Sequence, residues 1–420
     1  MERTTYIVNA VVYCLIALYI YRSKWKGRLP AFLIACLFAI SSVCSVLYYD
    51  SSLYSMLTER MSYGVSITSL GYLLIGFLIY LYPLTKADIS NMEEIPEYPL
   101  VTKFAIFLGL LSILPFIENM TRLLSTSVMD MAMAYEDNLT EAADTRSHFS
   151  FLGRMCNGVT SWFSYFTPVL SFYMLATRQK THWIILSFVA LVNPMIPEFF
   201  HGGRGALFHL FCTLALNFII FRKYFSEKVL SVVTKVGVVA GAGIALFLVA
   251  MSVARASGDD DIALQQVYRY LGESFVNFSE AGWYVTNHTG GHSIFNGTGH
   301  TWLSDLSEYF ESRDYTTLGN ITGVRMYVYY TVFGDYFFDF GIIGGILFNL
   351  MLALIYMKYA KEGVSTISAI IILNMYAKIG FNGIYCFAYM NRTEFVLFTF
   401  LCLFALRRYE SSRLNWGGNS

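Results

Sequence analysis

Long apolar runs, separated by polar segments, recur along the whole chain. A helix needs about 20 apolar residues to cross a hydrocarbon layer about 30 Å thick, and open strands would leave backbone groups unpaired in lipid. The pattern therefore predicts an all-α polytopic membrane protein, a single membrane domain over residues 1–420 with about eleven spans. The predicted spans are 5–21, 30–48, 64–82, 101–117, 151–176, 183–200, 205–221, 234–254, 337–357, 364–381 and 394–406.

Composition supports lipid as the solvent. Hydrophobic residues make up 56% of the 420 residues and charged residues only 14%, whereas an average soluble domain is roughly 25% charged. The formal net charge is zero, which gives no reason to expect nucleic acid as a partner. The seven cysteines lie in or beside apolar runs and form no CxxC pair, which favours packing residues over disulfides or zinc ligands.

Basic residues of the short loops set the orientation, because lysine and arginine accumulate on the cytoplasmic side. They cluster in alternate loops and in the tail, which predicts an outer N-terminus and a cytoplasmic C-terminus. Two long loops, 118–150 and 255–325, then lie outside. Within the second, apolar residues recur at helical spacing from Leu264 to Phe278. This spacing predicts an amphipathic helix along the membrane surface.

The basic residues of the outer side are nearly all arginines, with Lys378 as the one lysine. Arginine binds phosphate and carboxylate oxygens through a planar fork. The outer face is therefore predicted to bind an anion. Scattered arginines that extend to the membrane interface are the alternative interpretation.

The segment His201-Gly202-Gly203-Arg204-Gly205 joins the sixth and seventh predicted spans. Glycines let the backbone approach a ligand, and the free N–H groups of a helix that opens at Arg204 favour anions. The segment predicts a pyrophosphate cradle, although a plain tight turn also uses glycines. Further on, Asp335 and Asp339 are four residues apart and share one helix face. Charges near outer helix ends indicate either a catalytic pocket or buried ion pairs.

Over residues 150–360 the chain resembles bacterial oligosaccharide repeat-unit polymerases of the Wzy, or O-antigen polymerase, type. The GGRG turn at 202–205, the large outer loop and the FGDYFFDFG stretch at 333–341 carry the resemblance. Some members of that family place ten residues between an arginine and a glycine of an outer loop. Here Arg313 and Gly323 are separated by nine, and the pair Arg60 and Gly71 ends inside a predicted span.

The resemblance implies a GT-C-like architecture and an active site on the periplasmic face of the bacterial inner membrane. It implies that the substrates are undecaprenyl-pyrophosphate-linked oligosaccharides, polymerised into O-antigen, capsule or exopolysaccharide without a cofactor. An acceptor hydroxyl attacks C1 of the donor's reducing-end sugar, and undecaprenyl pyrophosphate leaves. A flippase and a chain-length regulator are the protein partners to test.

Two other functions are alternatives to polymerisation. An O-antigen ligase-type transferase uses nearly the same chemistry. A flippase or other transporter for lipid-linked glycans would have many spans too, but the 71-residue loop 255–325 speaks against it.

This reaction needs groups that bind the pyrophosphate and a base that removes the acceptor's hydroxyl proton. Binding of the pyrophosphate, with its developing charge, is assigned to Arg204, Arg255, Arg269, Arg325, Arg392, Gly202 and Gly203. The base that takes the hydroxyl proton is Asp335 or Asp339, then His300, then Glu280. No metal is expected. The weaker alternatives are a cation on the aspartates 259–261 and zinc on His288, His292 and His300.

Overall fold

A computed structural model describes the greater part of the chain. The described residues are 2–23, 28–58, 64–87, 95–126, 149–197, 204–255, 260–291, 294–295, 315–326, 328–360, 366–389 and 393–417. Within these ranges the regular elements are helices and no strand occurs, which confirms the all-α prediction there. The helices are α1 (Glu2–Arg22), α2 (Leu29–Tyr49), α3 (Ser52–Thr58), α4 (Ile67–Lys86), α5 (Pro99–Ser125), α6 (Phe151–Trp162), α7 (Thr167–Ala176), α8 (Thr181–Val192), α9 (Arg204–Phe221), α10 (Glu227–Arg255), α11 (Asp260–Glu280), α12 (Tyr315–Thr322), α13 (Thr331–Ala360), α14 (Ile367–Asn382) and α15 (Thr393–Gly417).

Several of these helices suit a membrane. Among the described residues, five helices are long and apolar enough to cross a membrane: α1, α2, α4, α5 and most of α13. Three shorter helices, α7, α8 and α14, are also apolar. A membrane-embedded protein is thereby supported. The total of eleven spans and the GT-C-like architecture stay predictions.

Local sequence explains where helices start. Ser66 precedes α4, and its hydroxyl accepts the Ser69 N–H at 3.3 Å, which satisfies one free donor of the first turn. Proline opens α5 and is the second residue of α7, positions that need no N–H donor. Pro168 also explains why the predicted span 151–176 is divided into α6 and α7, because a helix avoids continuing into a proline.

The described helices form two compact units. The first unit contains residues 1–91, 259–364 and 375–397, and the second contains 92–258, 365–374 and 398–420. Each unit therefore draws on distant parts of the sequence.

The core of the first unit is aromatic. The ring centroids of Phe38 and Phe77 are 4.6 Å apart, and Tyr13 lies edge-on to Phe275 at 5.3 Å. Helix α11 approaches α2 closely at Gly272, where a Cβ would lie 2.3 Å from the Ser45 backbone nitrogen. The absence of a side chain at this glycine thus allows the two helices to touch.

The predicted amphipathic stretch 264–278 lies inside α11. Its first half is partly exposed, as at Leu264, but nearly every residue of 272–280 is buried in the first unit. A helix that lay wholly on a membrane surface would keep one polar face in water. Here α2, α4 and α13 supply the contacts that cover the second half.

Helix α13 reverses direction at Gly341, which has φ +70° and ψ −171°. Residues nine apart in a straight helix are separated by about 14 Å along the axis, yet a Cβ at Gly345 would lie 3.1 Å from the Tyr336 carbonyl oxygen. Both sides of the break reach Gly76 of α4: Phe333 packs on it, and the Asn349 amide donates to its carbonyl at 2.7 Å. We call 331–340 the buried segment and 342–360 the outward segment.

Amide side chains connect the helices of the second unit. Asn119 of α5 donates to Asn193 at 2.9 Å, and Asn193 donates to Asn157 of α6 at 3.2 Å. Glu410 of α15 accepts the backbone N–H of Ile367 at 2.8 Å, at the start of α14. Burial raises the pKa of Glu410, and hydrogen bonds from Ser368 and Ile367 oppose that rise. The carboxyl group thus serves as the N-terminal cap of a neighbouring helix.

Candidate active site at one end of the first unit

One end of the first unit collects charged and hydroxyl groups. The start of α1 and the end of α2 meet there, since Arg3 and Asp50 form an ion pair at 2.9 Å. The start of α4 is at the same end, because the Ser66 N–H donates to the Ser279 carbonyl at 3.1 Å. If the predicted orientation holds, this is the outer end.

Four carboxyl side chains of the first unit are buried, and each needs compensating partners because an isolated buried charge is costly. They are Glu273, Glu280, Asp335 and Asp339. The first two belong to α11 and the others to the buried segment of α13. Each carboxyl group has hydrogen-bond partners of a different kind, and these partners determine whether it can accept a proton from a substrate.

Glu280 lies between two phenols. The hydroxyls of Tyr6 and Tyr54 each donate to one of its carboxyl oxygens at 2.8 Å. The Tyr6 oxygen is also 2.6 Å from the hydroxyl oxygen of Ser279. The last residue of α11 is therefore tied to α1 and α3 through groups that can both donate and accept protons.

Glu273 is paired within its own helix. The Nε of Arg269 donates to it at 2.9 Å, and the Arg269 side chain is 32% exposed. Burial raises the pKa of Glu273, and the adjacent guanidinium counteracts part of that rise. Arg269, predicted to bind pyrophosphate, thus has a protein carboxylate that fixes its orientation.

Asp335 accepts the backbone N–H of Phe387 at 2.6 Å. Two more bonds connect the same segments, from the Thr331 N–H to the Tyr385 carbonyl at 3.1 Å and from the Val332 N–H to the Gly383 carbonyl at 2.9 Å. The start of the buried segment is therefore docked on residues 383–387, which directly follow α14. Thr331 has φ +70°, which is rare for a β-branched residue, and such strain concentrates at functional sites.

Asp339 holds the chain at the reversal. One of its oxygens accepts the Thr289 hydroxyl, and the other accepts the Ile294 N–H at 2.7 Å. The Thr289 and Gly290 N–H groups donate in turn to the carbonyls of residues 338 and 339 at 2.8 and 3.0 Å. These bonds attach Thr289, Gly290 and Ile294 to the buried segment.

Several tyrosines also lie in this part of the first unit. The buried hydroxyl of Tyr336, next to Asp335, has no hydrogen-bond partner among the described residues. The rings of Tyr270, Tyr329 and Tyr385 form a cluster with centroid distances of 4.9–6.3 Å. Buried tyrosine hydroxyls usually have partners, so Tyr336 is an exception among the described residues near Asp335.

The predicted site residues are distributed over both units. Arg325 joins the carboxylates in the first unit, and its carbonyl accepts the Tyr330 hydroxyl. Arg204 and Arg255 belong to the second unit, where only their backbones are described, as the first residue of α9 and the last of α10. The remaining predictions, Gly202, Gly203, His300 and Arg392, lie outside the described residues, as does His292. Their roles stay predictions.

The weaker metal hypotheses find no support in the described part of the chain, where no three potential metal ligands come together. His288 is described and packs edge-on against Phe337 at 5.3 Å, with its Nε2 3.0 Å from where a Cβ of Gly341 would lie. This histidine belongs to the packing of the reversal.

Sequence reasoning missed the tyrosines. Tyr6 and Tyr54 are separated from Glu280 by 274 and 226 residues. The chain has 31 tyrosines, and no spacing distinguishes these two from the rest. The one usable signal was the position of both residues beside predicted outer helix ends.

No protein-family model matches the chain, and neither curated proteins nor solved structures include a similar one at a significant level.

Proposed function

We propose that the chain is a membrane glycosyltransferase that polymerises undecaprenyl-pyrophosphate-linked repeat units on the periplasmic face of a bacterial inner membrane. The supporting observation is the buried segment of α13. It contains the FGDYFFDFG stretch of the resemblance, and two of its rings, Phe337 and Phe338, pack against Phe278 of α11, two residues before Glu280. Polar groups at one end of an apolar bundle suit a reaction at the membrane surface.

The reaction needs a base for the acceptor hydroxyl. The hydroxyl oxygen forms a bond to C1 of the donor sugar, the bond from C1 to the pyrophosphate oxygen breaks, and the hydroxyl proton passes to a carboxylate. Of the three carboxyl candidates, Glu280 suits this role best. Two phenols donate to it, and a phenol proton shifts along a hydrogen-bonded chain more readily than the backbone N–H protons on Asp335 and Asp339 or the aliphatic hydroxyl proton of Thr289 on Asp339.

The leaving pyrophosphate needs positive charge. Guanidinium groups held in advance at the site stabilise developing negative charge without reorganisation. Within the first unit Arg269 meets this demand, since Glu273 fixes its orientation while a third of its side chain stays exposed. Arg204, Arg255, Arg325 and Arg392 remain proposed contributors, and the reaction is proposed to need no metal.

The test is an assay of purified protein in lipid with one synthetic undecaprenyl-pyrophosphate-linked repeat unit, read as a ladder of longer products. Glu280→Gln should lower the rate by about 10²–10⁴-fold, the usual contribution of a general base. Tyr54→Phe should give a smaller loss, because one phenol remains. Glu227→Gln is the matched control, since this exposed carboxylate opens α10 in the second unit.

A deletion strain separates the function classes. Loss of a polymerase leaves single repeat units displayed outside, because synthesis and flipping still occur. Long chains that accumulate on undecaprenyl pyrophosphate would instead identify a ligase, and units trapped inside would identify a flippase. Full activity in excess EDTA is expected, and loss that Mg²⁺ restores would contradict the metal-free mechanism.

A further inference from the structure

A groove of about 580 Å³ runs between α1 and α4, on the first unit. Its walls are apolar and include Leu15, Ile16 and Leu78. Leu15 and Leu78 are 58% and 45% exposed, so the groove opens outward from the helix pair. In a membrane such a surface meets lipid chains rather than water.

One end of the groove is basic. Arg28 and Lys86 both line it, together with Ser23 and Thr85, and no acidic residue is among the described residues of the lining. The Arg28 guanidinium donates to the Ser23 hydroxyl at 3.4 Å, and the Lys86 ammonium lies 5.3 Å from the centre of the Tyr82 ring. Neither cation is neutralised by a carboxylate of the groove.

The basic end of the groove lies far from Glu280. Ile20 lines the groove, whereas Tyr6 binds Glu280, and a helix rises about 21 Å over the fourteen residues between them. The loops that carry Arg28 and Lys86 are those predicted to face the cytoplasm. Tyr82 and Tyr19 line the same end, and tyrosine is enriched where a bilayer meets water.

We propose that this groove binds an anionic phospholipid of the cytoplasmic leaflet. One acyl chain lies along the apolar walls, and the phosphate sits between Arg28 and Lys86. The groove, of about 580 Å³, is apolar along its length and large enough to receive an acyl chain. Two basic side chains, with no acidic side chain among the described residues of the lining, favour a net negative headgroup over a zwitterionic one.

The test is a titration of the full-length purified protein in detergent, by native mass spectrometry, with dioleoyl phosphatidylglycerol and dioleoyl phosphatidylcholine as probes. The wild type should bind phosphatidylglycerol about tenfold or more tightly than phosphatidylcholine. Each basic residue near a membrane surface contributes about fivefold in affinity, so Arg28→Ala with Lys86→Ala should weaken phosphatidylglycerol binding about 30-fold. Lys358→Ala is the matched control, because this lysine ends α13 and does not line the groove.

A second variant tests the apolar walls. Leu78→Trp fills the groove but keeps both charges, and the partial exposure of Leu78 lets the larger ring fit without disturbing the core. It should abolish tight phosphatidylglycerol binding and leave the thermal unfolding temperature without lipid unchanged. The proposal fails if phosphatidylcholine binds equally well, if the double variant keeps wild-type affinity, or if Lys358→Ala loses as much. It also fails if a second copy of the chain, seen as a lipid-free dimer, occupies the groove.

Discussion

The two segments of α13 are both rich in apolar residues but have opposite surroundings. In the buried segment nine of ten residues are buried, although it contains two aspartates. In the outward segment Ile343 is 75% and Leu347 is 58% exposed, although neither is polar. In water this distribution would be unfavourable, because exposed apolar area costs free energy. It becomes favourable when lipid surrounds the outward segment and protein surrounds the aspartates.

The comparison shows that apolar character alone does not locate a span. Both segments are apolar, but the buried segment of ten residues is about 15 Å long, half the thickness of a hydrocarbon layer. Irregular backbone and charges at such depth are tolerated only when protein covers them. Helices α4 and α11 and the residues 383–387 that follow α14 supply that cover.

The largest expected effect comes from a charge on the outward segment. Leu347→Asp should disfavour membrane insertion by about 3 kcal/mol, because the carboxylate would face lipid. A reporter fused to the C-terminus, scored for its side of the membrane, measures the loss of correctly inserted chain. Leu347→Met is the control. Normal insertion of the aspartate variant would mean that this face contacts protein or water, which would remove the distinction between the segments.

A smaller effect is expected at the reversal. Gly341→Ala should destabilise the first unit by about 2 kcal/mol, because φ +70° is unfavourable for alanine and the new methyl group would press on His288. Thermal unfolding in lipid measures the change. Gly71→Ala is the matched control in α4, since a Cβ there meets nothing within 4 Å. Equal unfolding temperatures for the two variants would show that the reversal is not required by the fold.

The smallest effect is expected at Asp339. Its variants distinguish a structural role, in which Asp339 only accepts hydrogen bonds, from a role as the general base. Asparagine can still accept the Ile294 N–H, and the Thr289 hydroxyl can rotate to accept from the new amide. Asp339→Asn should therefore cost about 1 kcal/mol, and Asp339→Ala more, since the buried N–H loses its acceptor. Unfolding and the polymerisation assay are measured together. If the asparagine variant unfolds normally but has no activity, Asp339 acts on the proton and Glu280 is not the base.

Helix positions could largely be predicted because their cause is local. Period 3.6 in 264–278 predicted α11, and apolar runs predicted α1, α2 and α4. The reversal at Gly341 could not be predicted, since an apolar run reads the same whether it continues or turns back. Periodicity likewise cannot say whether other helices will cover the polar side of α11.

The candidate site was predictable only by residue type. Spacing placed Asp335 and Asp339 on one face of a helix, but their partners, Phe387 and Ile294, are backbone donors from segments that spacing cannot align. The importance of Glu280 depends on two tyrosines more than 200 residues away. Contacts of that range follow from the packing of whole helices.

The docking of the buried segment on α14 constrains how the chain is made. Ten residues are too few to span a bilayer, so the buried segment is not expected to insert into the membrane on its own as it leaves the ribosome. Its first N–H groups bond to the carbonyls of Gly383 and Tyr385, which are synthesised about 50 residues later. The buried segment therefore cannot dock until α14 and residues 383–385 have been synthesised, and before then it is exposed or bound by insertion factors. A chain truncated before residue 383 would lack the backbone groups that bind the buried segment, and Asp335 would lose its hydrogen-bond donor, the Phe387 N–H.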